Sequence, residues 1–83
     1  MMKRVELPIF DGEDTYGWIA VAERFFRMGE YDEMTKMRLV SVSLKGDVLS
    51  WFNSEILRRP FETWIEFKQR LIARFSESEA ARS

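Results

Sequence analysis

The sequence predicts an all-α fold, a small bundle of about four short helices preceded by an extended N-terminal arm. Three features carry this reading. Apolar residues recur at three- and four-residue spacing in four successive segments of the 83-residue chain. Those segments open on capping residues or end at Gly or Pro. Period-two alternation is confined to Val5-Glu6-Leu7-Pro8-Ile9-Phe10, where Pro8 keeps Leu7 in extended backbone space. At this length one domain is expected, with about 64% of the unfolded chain's surface buried on folding.

The expected organisation is an arm and turn over 1–13, a helical lobe over 14–76 and a fraying tail over 77–83, where no apolar stripe continues. Asp11-Gly12-Glu13-Asp14-Thr15 reads as a turn in which Gly12 takes positive φ and Asp14 or Thr15 caps the next helix. Trp18, Val21, Ala22, Phe25 and Phe26 form one stripe of a first helix, which runs to Met28 and stops at Gly29. Asp32 caps a second helix with Met37, Val40 and Leu44 on one face and Leu39 and Val42 beside it. Gly46-Asp47 interrupts the pattern. Val48, Leu49, Trp51, Phe52, Ile56 and Leu57 then make a third helix, ended near Arg58-Arg59 by Pro60. Thr63-Trp64-Ile65-Glu66 has the capping-box pattern, with Thr63 taking the amide of Glu66 and the Glu66 carboxylate reaching back. The fourth helix carries Trp64, Phe67, Leu71 and Phe75, and an i,i+4 pair from Glu66 to Arg70 on its wet face.

Composition removes most chemistry. The chain has no Cys and no His, which excludes disulfides, thiol nucleophiles, zinc knuckles and the commonest general base. Ser41, Ser43, Ser50 and Thr35 therefore lack a histidine base, and no Gly-rich elbow presents them, so no catalytic residue is expected. Asp11, Glu13 and Asp14 lack the offsets of a calcium loop and read as turn and cap, so neither metal nor cofactor is expected. A net charge of −1 gives no basic excess for strong nucleic-acid binding, and Arg58, Arg59, Lys68, Arg70 and Arg74 read as helix-end and solvated charge. No apolar run approaches a membrane span and the first residues are unlike a signal peptide, so an intracellular, cytoplasmic setting is expected.

Three Trp, two Tyr and seven Phe are many rings for a small helical domain to hide. Trp18, Phe25, Phe26, Leu44, Phe67, Leu71 and Phe75 are assigned to the core by stripe position. Leu7, Ile9, Phe10, Tyr16, Trp51, Ile56 and Leu57 are the candidate contact residues, because the arm and the third helix carry more apolar surface than one core can use. Asp14, Asp32, Thr63 and Glu66 are the helix caps.

The order of several stretches resembles the Gag polyprotein of Ty3/gypsy-type LTR retrotransposons, in the N-terminal lobe of its capsid region. These are Leu7-Pro8-Ile9-Phe10-Asp11-Gly12-Glu13-Asp14, Trp18-Ile19, Ala22-Glu23-Arg24-Phe25-Phe26, Lys36-Met37-Arg38-Leu39, Leu44-Lys45-Gly46-Asp47, Trp51-Phe52, and Trp64-Ile65-Glu66-Phe67-Lys68 with Leu71 and Arg74-Phe75. The specific element is their ordered series, F-D-G, W, L-x-G, W and W-x-x-F, which spans nearly the whole chain. Plant elements and their domesticated descendants look nearest, and the neuronal protein Arc is a more distant relative. The resemblance implies a retroviral-capsid-like all-α lobe, assembly of many copies into a shell around RNA, and no catalytic residues. In relatives such as Arc it also implies a hydrophobic groove that binds short peptides. Val48 stands where the family often has Ala, and Thr15 where it often has Pro. The second capsid lobe, the Cys/His knuckle, the protease and the polymerase have no counterpart here, so the expectation is an excised lobe or a shortened, domesticated relative.

Two functions are therefore expected. One is an assembly module whose partner is another copy of itself, weakly bound as an isolated lobe. The other is an adaptor whose partner is an extended apolar peptide, its own arm or another chain's, lying against the third and fourth helices.

Overall fold

The computed structural model describes residues 7–76. The expectations for residues 1–6 and for the fraying tail over 77–83 lie outside the described residues. Among the described residues four α-helices form a bundle, and the described part of the arm is threaded into it.

The chain enters through Leu7 and Phe10, both buried. The Phe10 amide donates to the Ser43 carbonyl (2.8 Å) and the Lys45 amide donates to the Phe10 carbonyl (3.1 Å), a single parallel bridge between arm and bundle. The indole N–H of Trp18 donates to the Pro8 carbonyl (2.8 Å), and the Phe10 ring stacks on Trp18 at 5.2 Å. Gly12 then turns the chain at φ 105°, a conformation that side chains resist.

Helix α1 (Thr15–Met28) begins where the Asp14 carboxylate accepts from the Gly17 amide (3.2 Å). Its buried stripe is Thr15, Trp18, Ile19, Ala22 and Phe26, rotated from the expected one. Val21 is exposed, and Phe25, expected in the core, is half-buried and stacks on Tyr31 at 5.6 Å. Trp18 sets that rotation, because it is held by the arm on one side and by Trp64 and Phe67 on the other.

Helix α2 (Glu33–Ser41) is capped by Asp32, which accepts from the Thr35 amide (2.8 Å). It ends earlier than its apolar pattern suggests. The Ser43 hydroxyl donates to the Leu39 carbonyl (2.8 Å) and its amide to the Val40 carbonyl (2.9 Å), which closes the last turn and frees 43–45 to pair with the arm. Leu44 is thus buried through the bridge instead of on a helix face, and Val42 is exposed.

Helix α3 (Gly46–Arg58) buries Val48 and Phe52. Helix α4 (Trp64–Leu71) buries Trp64, Phe67 and Leu71 and runs into a π-helical turn, Ile72–Ser76, which carries Phe75 into the core against Phe10 and Trp51. Thr63 accepts from the Glu66 amide (3.1 Å), but the Glu66 carboxylate accepts from the amide of Glu62 (2.9 Å), outside the helix. Arg70 also departs from expectation. Its i,i+4 ion pair with Glu66 forms at 3.9 Å, but Glu55 on α3 lies closer at 2.8 Å and the Phe61 ring at 3.9 Å, so its guanidinium spans two helices and is not on the wet face.

Candidate interaction surface

The seven candidate contact residues do not form one patch. Leu7 and Phe10 are 7% and 1% exposed and belong to the core, because the arm docks on its own bundle. Trp51 is half-buried among the rings of Phe61, Phe67 and Phe75, so much of its surface is spent inside the molecule. Ile9, Tyr16, Ile56 and Leu57 are exposed. Trp18, Phe26, Leu44, Phe67, Leu71 and Phe75 are buried.

An open groove of about 510 Å³ lies between α2 and α3. Its floor and walls are Met34, Met37, Phe52, Ile56 and Phe61, with Arg38, Ser41 and Glu62 at its rim. Of the candidate contact residues only Ile56 lines it. The groove exists because the Arg59–Thr63 linker folds back, with Phe61 stacked on Phe52 at 5.4 Å under the Arg70 guanidinium. Met34, Met37 and Phe61 were not legible as a site. A phenylalanine straight after Pro60 is the signal for Phe61, since a large apolar residue in a linker has to be seated on something.

Polar ties join the helices around the core. The Glu23 carboxylate on α1 accepts from Lys68 (2.6 Å) and from the Trp64 indole N–H (3.1 Å), both on α4. Glu33 on α2 accepts from the Trp64 amide (2.7 Å) and pairs with Lys36 (3.1 Å). The lysine ammonium beside Glu23, the donated Trp64 amide at Glu33 and the Arg70 guanidinium at Glu55 each hold that carboxyl below the ordinary glutamate range. The Thr35 donors do the same for Asp32. Lys68 and Arg70 are thereby paired with carboxylates across helices and Arg74 lies over the Phe75 ring at 4.9 Å, whereas Arg58 and Arg59 are exposed at the end of α3, as expected.

An arm buried through an F-D-G turn, two tryptophans packed on one another and a bundle closed by W-x-x-F at Trp64 and Phe67 define this lobe. The family model of the N-terminal capsid-like domain of retrotransposon-derived protein PEG10 matches residues 4–76. The chain belongs to that family. Membership agrees with the resemblance to a Gag capsid N-lobe and places the domain among structural, capsid-like modules. No curated protein and no solved structure matches the chain significantly. Among the described residues no helix is long and apolar enough to cross a membrane.

Proposed function

We propose that this domain is an assembly module that makes homotypic contacts in a capsid-like particle inside the cell. Exposed apolar residues outside a closed core carry the reading: Ile9, Tyr16, Val42, Leu57 and Ile65 remain on the surface of a capsid-family lobe. Each such contact is weak alone and is multiplied by symmetry in a shell. Sedimentation velocity from micromolar to millimolar protein tests it. A mass that rises with concentration is the expected result; a constant monomer mass counts against it.

A second reading is an adaptor that binds an extended apolar peptide, and the groove between α2 and α3 is the observation that favours it. Thioether side chains such as Met34 and Met37 adapt to varied apolar partners. The arm is not the occupant of this groove, since it is bridged to Ser43–Lys45 instead. Saturable binding by a chain that stays monomeric would distinguish the adaptor from the assembly module.

A further inference from the structure

We infer that a hollow at the C-terminal end of α3 binds the dianionic phosphate of a small molecule, either free phosphate or a phosphate monoester. The hollow has a volume of about 230 Å³ and is lined by Glu55, Arg58, Arg59 and Arg70. It shares no lining residue with the apolar groove, so the inference stands whether the lobe assembles or acts as an adaptor. Arg58 ends α3, and Arg59 continues in extended backbone at φ −158° and ψ 104°. Nη1 of Arg70, on α4, donates to the Arg59 carbonyl (3.2 Å), which ties the linker to the next helix. Arg70 is itself fixed. Its guanidinium is 16% exposed, lies over the Phe61 ring at 3.9 Å and donates through Nη2 to Oε1 of Glu55 (2.8 Å). A cation held this way is ordered before a ligand arrives, so binding costs less.

The charges select the ligand. Oε2 of Glu55 accepts from Nη1 of Arg58 (3.0 Å), so one carboxylate serves two guanidiniums. No carboxylate among the described residues pairs with the Arg59 guanidinium, and Glu66 meets Arg70 alone, at 3.9 Å. Three guanidiniums against one lining carboxylate leave two positive charges in the hollow. A phosphate monoester carries about −1.5 to −2 at neutral pH and offers three acceptor oxygens, whereas a carboxylate offers one charge and two oxygens. The carbonyl end of α3 opposes an anion with only about half a charge, less than the arginine surplus. Arg58, with its side chain 79% exposed, keeps N–H groups beyond the one given to Glu55 and can turn them to the ligand.

The test is a nitrogen-15 NMR titration of the full chain at constant ionic strength with inorganic phosphate, adenosine monophosphate and dimethyl phosphate in turn. Phosphate or the monoester should give saturable shifts of the Arg58, Arg59 and Arg70 guanidinium resonances, and the tighter of the two identifies the source. Dimethyl phosphate, a monoanion, should bind roughly tenfold more weakly. The double variant Arg58→Gln with Arg59→Gln should weaken the preferred probe roughly tenfold or more, as loss of charge-assisted hydrogen bonds does. Both side chains are exposed, so its thermal melting should match the wild type. Arg24→Gln on α1, which lines no part of the hollow, should bind like the wild type. Absence of saturable shifts in the wild type would overturn the inference without recourse to any variant. So would dimethyl phosphate binding as tightly as the dianions, or an equal loss in Arg24→Gln, since either would mean unspecific charge attraction.

Discussion

Phe10 shows how one residue changes the reading of this chain. Its position in an extended arm beside Pro8 made it a candidate contact residue, yet it is 1% exposed and meets the rings of Trp18 and Phe75. Phe10→Ala should therefore cost about 3–5 kcal/mol in chemical denaturation, the range for a large ring removed from a core. Trp51→Ala should fall at or somewhat below the lower end of that range, since Trp51 is only half-buried but edges Phe75 at 5.4 Å. Leu57→Asp should leave the midpoint within about 0.5 kcal/mol of the wild type, as an exposed substitution away from packing does. These three side chains had similar standing in the sequence. Periodicity gives the angle of a residue around its helix, but not what a distant segment lays over it.

At the scale of elements, the caps were legible because they are local. Asp14, Asp32 and Thr63 each accept an amide three residues on, an arrangement set by spacing alone. The ties between helices were not, since Glu23 and Lys68, or Glu33 and Trp64, are separated by tens of residues and carry no mark of their pairing. These ties have a pH signature. Glu23, Glu33 and Glu55 are held below their ordinary value of 4.5, so the folded chain binds fewer protons than the unfolded one in mild acid. Their contribution is complete at neutral pH, fades below 4.5 and is lost as pH falls through the depressed folded values. Melting temperature should therefore drop across that window. Glu23→Gln should lower stability at pH 7 and flatten the acid limb, and calorimetry between pH 7 and 3 would read both effects.

At the scale of the molecule, the arm is part of the core. It supplies Leu7 and Phe10, a carbonyl for Trp18, and two backbone hydrogen bonds to the segment between α2 and α3. Deleting residues 1–10 would expose Trp18, Leu44 and Phe75 together. A domain of this size has only about 5–15 kcal/mol of net stability to lose. The truncated chain should lose its cooperative thermal transition and its near-ultraviolet circular dichroism. The groove is also a property of the whole, made when α2, α3 and the Phe61 linker meet.

The sequence by itself determined the helical class, the starts of α1, α2 and α4, the glycine turn and the capsid family, because caps, breakers and apolar period act over a few residues; Gly46 and Asp47, read as an interruption, instead form the first turn of α3. Tertiary structure alone decided that α1 buries Ile19 and turns Val21 outward, that Leu44 reaches the core through a bridge, and that α4 loosens into a π-helical turn to seat Phe75. Each of those outcomes depends on which distant segment docks where. Many apolar residues compete for a core too small to hold them all, and only the packed arrangement selects which enter and which stay exposed.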